Sequence, residues 1–182
     1  SNCSDLGRAR AHQGNLAEAV KHYTEALRIR PDFAEVHNYL GCALAQQDKL
    51  DEAITHFGEA LRIRPDFAEV HNDLGSALAQ QDKLDEAIKH YTEALRIKPD
   101  FFIAHNNLGI LLALQGKHDG AIRHYTKALR IEPDFASTHY NLARTLVEVD
   151  KINEAITHFK ETLRLRPDWV APMNNLAWLL AT

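Results

Sequence analysis

No apolar run in the chain approaches the roughly 18 residues that a membrane-spanning helix needs. The N-terminus has no basic stretch leading into an apolar one, so neither a membrane span nor a secretory signal is expected. A basic excess is also missing. The net charge is −4 at pH 7, which argues against nucleic acid, because neutralising phosphates takes clustered Lys and Arg. Cysteine is scarce, and Cys3 and Cys42 offer neither a C-x-x-C pair nor a zinc spacing. A reducing, cytoplasmic setting fits that usage. No nucleophile–base pairing and no phosphate-binding loop occurs either. The expectation is therefore no catalytic residue, no cofactor, no metal and no enzyme.

What is present is a period. Pro31, Pro65, Pro99, Pro133 and Pro167 stand 34 residues apart, and nearly every other position repeats with them. A fixed period of this length marks a solenoid, in which each unit packs only on its neighbours. The repeats run 1–33, 34–67, 68–101, 102–135 and 136–169, with residues 170–182 beginning another. They form one expected solenoid domain, 1–182. A chain that starts within one repeat and stops within another reads as a piece of a longer protein, and Ser1-Asn2 reads as the scar of a cleaved tag. Cys3 and Cys42 sit at different depths of adjacent repeats, so a mutual disulfide is not expected.

Within a repeat, two apolar stripes have helical spacing: Ala34, His37, Leu40, Gly41 and Leu44, then Ala53, Ile54, Phe57, Ala60, Leu61 and Ile63. Asp48 lies between them, and the same position is Gly14 in repeat 1 and Gly116 in repeat 4. Gly alternating with Asp predicts a left-handed residue closing the first helix. The second helix opens on Asp51-Glu52 and closes on Arg62 and Arg64, complementing its dipole, and Pro65 ends it. Asp66 with Glu69, and Asp32 with Glu35, are spaced as capping boxes for the next first helix. Gly41, Gly75 and Gly109 sit inside helices at a cost of about 1 kcal/mol each, which implies a close backbone approach.

These residues resemble the tetratricopeptide repeat. The family's pattern reads His37, Leu40-Gly41, Leu44, Ala53, Phe57, Ala60 and Pro65 here. It recurs as His71, Leu74-Gly75, Leu78, Ala87, Tyr91, Ala94 and Pro99, and again as His105, Leu108-Gly109, Leu112, Ala121, Tyr125, Ala128 and Pro133. His stands where the family has Trp, and repeat 5 has Ala143 for Gly and Thr162 for Ala. The resemblance implies an all-α fold, a right-handed α-solenoid (superhelix) of antiparallel helix hairpins with first helices lining its concave face.

By that resemblance the groove falls on Asn38, Tyr39 and Cys42 in repeat 2; Asn72, Asp73 and Ser76 in repeat 3; and Asn106, Asn107 and Ile110 in repeat 4. It continues through Asn141 and Arg144 in repeat 5 and Asn174, Asn175 and Trp178 in the last helix. Asn38, Asn72, Asn106 and Asn174 form one column; Asn107, Asn141 and Asn175 form another. Amides carry donors and an acceptor and can pair with a peptide backbone, a use similar to the ladder in the superhelical arm of O-linked N-acetylglucosamine transferases. Acidic Asp5, Glu35, Glu69 and Asp73 gather in the N-terminal half, and Ile103, Ile110, Leu114 and Trp178 in the other. A protein or peptide ligand, basic at one end and apolar at the other, would be complementary. Arg8 and Arg144 are the only groove arginines, so the family's carboxylate clamp for heat-shock proteins is absent. The expected function is a protein–protein interaction scaffold. Alternatives are a self-assembling module, a homo-oligomer through its solenoid ends, or the substrate arm of a larger enzyme such as a glycosyltransferase.

Nine histidines fall in two columns: His37, His71, His105 and His139 on first helices, and His22, His56, His90, His124 and His158 on second helices. Neighbouring repeats place them too far apart for ~2 Å metal bonds, so repetition accounts for them. The first column takes the place of a packed Trp, so its rings are expected half-buried and neutral, with stability falling as pH drops below about 6.5.

Overall fold

A computed structural model describes residues 16–181. Ten α-helices occur among them: α1 Leu16–Ile29, α2 Ala34–Gln46, α3 Leu50–Ile63, α4 Ala68–Gln80, α5 Leu84–Ile97, α6 Phe102–Leu114, α7 His118–Ile131, α8 Ala136–Glu148, α9 Ile152–Leu165 and α10 Val170–Ala181. The contacts divide the chain into two compact units, Ser1–Pro99 and Asp100–Thr182. The first holds the hairpins α2–α3 and α4–α5 with α1 packed before them; the second holds α6–α7 and α8–α9 with α10 packed after. Cys3, Asp5, Arg8 and Gly14 lie outside the described residues.

Turn chemistry makes each hairpin. Asp48, Asp82 and Asp150 have φ of 62°, 61° and 59°, and Gly116 has 72°, as the Gly/Asp alternation predicts. The amide after each reaches back five residues, Lys49 to the Leu44 carbonyl at 3.0 Å and Lys117 to Leu112 at 2.9 Å, which closes the first helix as a Schellman motif. At the far end the residue before proline is extended, Arg64 with φ −135° and Glu132 with φ −130°, the conformation proline imposes on its predecessor.

Helix starts differ from expectation. The residue preceding α2 is Phe33 and that preceding α4 is Phe67, and neither helix has a side-chain cap. The capping boxes do not form. Glu35 instead accepts from Arg64 at 2.8 Å and Glu69 from Lys98 at 2.9 Å, each cation arriving from the end of the following second helix. The Arg64 guanidinium also lies 3.4 Å from the Phe67 ring centre. A charge partner twenty-nine residues away displaces the local cap.

The core alternates small residues and rings. Ala53, Ala87, Ala121 and Ala155 have no exposed surface, and Phe57, Tyr125 and Phe159 are 1% exposed. A Cβ added at Gly41, Gly75 or Gly109 would fall 2.7, 2.9 or 2.6 Å from the ring of Phe57, Tyr91 or Tyr125. The close approach is therefore to an aromatic face, not to backbone. In repeat 5, Ala143 takes the glycine's place beside Phe159, in a cluster completed by Leu142, Leu146 and Leu179 from α10. Thr162, in the usual Ala position, is fully buried and donates its hydroxyl to the His158 carbonyl at 2.9 Å, which removes the penalty of burying it.

Candidate ligand groove

First helices bury far more than second helices. Nine residues of α2 are buried against three of α3, namely Ala53, Phe57 and Ala60. Besides its own hairpin partner, α2 packs on α1 and meets α4, and α8 likewise packs on α7 and meets α6. The face that first helices leave open is the candidate groove.

The two asparagine columns have different surroundings. Asn38 and Asn72 are 4% exposed and Asn106 6%. In repeat 4 the Asn106 Oδ1 accepts from Thr138 Oγ1 at 3.0 Å and from Asn141 Nδ2 at 3.1 Å, and its own amide donates to Asn107 Oδ1 at 3.4 Å. In the first unit Asn72 Nδ2 donates to Asp73 Oδ1 at 3.2 Å, and the Asn38 amide also bonds Asp73. The first column thus staples one repeat to the next, from Asn38 to Asp73 and from Asn106 to Asn141. The second column, Asn107, Asn141 and Asn175, is half-buried with part of its surface open, and Asn174 is exposed.

In the first unit the groove is polar. Asp73 is half-buried beneath Glu69, and loss of hydration raises its carboxyl to about 7 despite the hydrogen bonds from Asn72 and Asn38. The Cys42 sulfur lies 3.7 Å from Asp73 Oδ2. Cys42 is disulfide-bonded, which runs against the expectation that the cysteines form no disulfide; Cys3 lies outside the described residues. Ser76 Oγ is 3.1 Å from the Tyr91 hydroxyl, whose proton burial holds up to about 12. Tyr39 rests 5.9 Å from the Tyr23 ring. The acidic set is largely matched internally, since Glu35 and Glu69 already face cations.

In the second unit the groove is more apolar and carries one charge of each sign, Arg144 and Glu148. One cleft of about 300 Å3 has Ile110, Leu114, Asn141 and Arg144 in its walls with His118 and the buried Tyr125 beneath. A second, of about 220 Å3, has Arg144, Asn175, Trp178 and Leu179. Arg144 and Glu148 border both. Leu114 is 70% and Trp178 61% exposed, large apolar surfaces left to water. The Arg144 guanidinium stands 5.8 Å from the Tyr140 ring and is in no ion pair among the described residues. His118 Nδ1, in the wall of the first cleft, is buried with no hydrogen-bond partner there.

Sequence reasoning missed one recurring contact. The two histidine columns meet within each hairpin: His37 with His56, His71 with His90, His105 with His124 and His139 with His158, Nδ1 to Nδ1 at 3.1, 3.0, 2.9 and 2.9 Å. The constant separation of 19 residues was the available signal. Among the described residues no three His, Cys, Asp or Glu side chains converge as a metal set, and no helix is long and apolar enough to cross a membrane.

The family follows from sequence models. The model described as TPR repeat matches residues 7–48, 41–82 and 75–116, and that described as tetratricopeptide repeat matches 100–168. The chain belongs to the tetratricopeptide repeat family. No curated protein matches the sequence. Solved structures of similar fold include MamA, at 24% identity and a TM-score of 0.76 over 89% of this chain and 95% of that one. YrrB, described as a TPR protein with an unusual peptide-binding site, aligns at 19% identity and 0.72, covering 95% of this chain and 89% of its own. TTC0263, a thermophilic TPR protein of Thermus thermophilus, aligns at 20% and 0.76 over 99% and 98%. At these identities the likeness shows the fold: an all-α solenoid of tetratricopeptide hairpins. Membership of the tetratricopeptide repeat family, not that likeness, makes the chain a protein-interaction module in class.

Proposed function

We propose that the chain is a binding scaffold that holds an extended peptide against its first helices, with the second unit's groove as the principal site. The observation that carries this reading is that Asn141 and Asn175, one repeat apart, stand in the walls of two clefts that share Arg144 and Glu148, with Asn107 in the same column one repeat earlier. Amides spaced by one repeat can bond a peptide backbone whatever its side chains. Trp178, Leu114 and Ile110 supply apolar contact, and Arg144 supplies a bidentate partner for a carboxylate. A ligand with an acidic group between apolar residues fits best. The basic end expected from sequence loses support, because Glu35 and Glu69 are matched by Arg64 and Lys98. The peptide-binding site named for YrrB gives this reading a precedent within the fold. We assign the chain a binding role and not a catalytic one, and a net charge of −4 fits a protein ligand rather than nucleic acid.

A peptide selected on the immobilised chain provides the test. Arg144→Glu is expected to weaken it about 10-fold, the loss of one charge-assisted contact. Unchanged affinity in both Arg144→Glu and Asn141→Ala would remove this groove as the site. A second reading rests on α10, where Val170, Met173 and Leu180 are 60%, 39% and 63% exposed: association of copies through that helix. Light scattering across a concentration series that finds a strict monomer would end it.

A further inference from the structure

The four histidine pairs have an internal chemistry that the groove does not use. In three hairpins the Nε2 of the first-helix ring meets a proline carbonyl: His37 to Pro31 at 2.9 Å, His71 to Pro65 at 3.1 Å and His139 to Pro133 at 2.9 Å. A carbonyl only accepts, so each of these Nε2 atoms carries the hydrogen. The Nδ1 of the same neutral ring then carries none and must accept. The donor across the hairpin is therefore the Nδ1–H of His56, His90 or His158, whose Nε2 keeps a lone pair. The ordering runs in one direction: second-helix ring to first-helix ring to proline carbonyl.

We propose that these histidine pairs are acid-sensitive clasps, which bond the two helices of repeats 2, 3 and 5 at neutral pH and release them on acidification before the pair of repeat 4 responds. One added proton enters at the Nε2 of the second-helix ring, and the Nδ1–H···Nδ1 bond survives as a charge-assisted one. A second proton has only the first-helix Nδ1 to occupy. Two N–H donors and two positive rings then face each other at about the same close separation, and the bond is lost.

The surroundings set the order. His56 faces His37 from α2 and has Glu52 and Glu59 on its own helix; α2 also carries Glu35, held by Arg64, and α4 carries Glu69, held by Lys98, with His71 and Asp73. His90 faces His71 and has Glu86 and Glu93. His158 faces His139 and has Glu154 and Glu161, and α10 brings no titratable side chain. In all three, burial and the partner ring favour the neutral form, and the two carboxylates oppose them. His124 differs: it faces His105, has Arg123 and Lys127 where the others have acids nearby, and falls to about 4 by burial first and then these charges. The helix α8 packed on it adds His139, Tyr140, Arg144 and Glu148. Lowered histidine values mean that the stability contribution is complete above the unfolded value of about 6.5 and declines as pH falls below it.

Histidine-resolved nitrogen NMR on the whole chain reads the arrangement directly. At pH 7.5 the expected hydrogens are on Nδ1 of His56, His90 and His158 and on Nε2 of His37, His71 and His139. On acidification those three second-helix rings take their proton at Nε2 before His124 does. The melting temperature is expected to fall by about 5 °C or more between pH 7.5 and 5.0. The triple variant His56→Asn, His90→Asn, His158→Asn keeps an N–H donor that does not titrate and should lose at least about half of that fall. Hydrogens on Nε2 of the second-helix rings at pH 7.5, His124 protonating first, or an undiminished fall in the variant would each overturn the clasp. If the triple variant does not fold, the tautomers and titration order of the unaltered chain decide alone.

Discussion

The two units share a core and differ in their grooves. Phe57 and Tyr91 in the first, Tyr125 and Phe159 in the second, occupy one position against a glycine or alanine, each at most 3% exposed. The open faces diverge. In the first unit the groove closes on itself, with Asn38 and Asn72 bonding Asp73, and with Glu35 and Glu69 facing their own cations. In the second, Arg144 is in no ion pair among the described residues, although Glu148 shares both of its clefts, and it stands between Leu114 and Trp178. A repeat protein keeps its packing positions and changes its chemistry at the few that do not repeat.

The largest effects should be common to both units. Phe57→Ala and Tyr125→Ala are each expected to cost about 3–5 kcal/mol in urea unfolding; a loss confined to one unit would mean that the cores are not equivalent. Next come the glycines. Gly75→Ala and Gly109→Ala bring a methyl 2.9 and 2.6 Å from a packed ring and should cost about 1–3 kcal/mol each.

Binding should separate the units. Arg144→Glu is expected to reduce affinity for a selected peptide about 10-fold, and Asp73→Asn to leave it within about twofold; the reverse pattern would move the site to the first unit. Asp73 separates them again by pH. Its carboxyl is raised to about 7, so its neutral form suits the fold. That stability is complete below the unfolded value of about 3.9 and is lost as pH rises through the raised value. Asp73→Asn should therefore stabilise by about 1 kcal/mol at pH 8, discounted for partial exposure, and have no effect at pH 3. The smallest contrast is at the turns. Asp82→Gly should gain, and Gly116→Asp lose, about 0.5–1 kcal/mol, because both positions have positive φ.

The hairpins were legible because proline, the Gly/Asp turn position and the spacing of Ala and aromatic residues each act locally. The contacts that differ from expectation act at a distance. Glu35 has the spacing of a capping box, but Arg64 reaches it from the next hairpin turn and wins it. Asn38, Asn72 and Asn106 have the spacing of a ligand ladder, and the stagger between adjacent first helices turns Asn38 and Asn106 onto the next repeat. The histidine columns look separate along the chain and meet only when α2 folds back on α3. Tyr39 against Asp73, Cys42 against Ser76, Arg144 and Trp178 are groove positions that do not repeat, and on Asp73, Arg144 and Trp178 the two grooves differ.

Amide and side-chain NMR mapping of a selected peptide onto the intact chain tests the groove assignment most directly. The expected shifts centre on Asn107, Asn141, Arg144, Asn175 and the Trp178 indole, with the second helices α7 and α9 little changed. Shifts centred on those second helices, or on Asp73 and Ser76 of the first unit, would contradict the account.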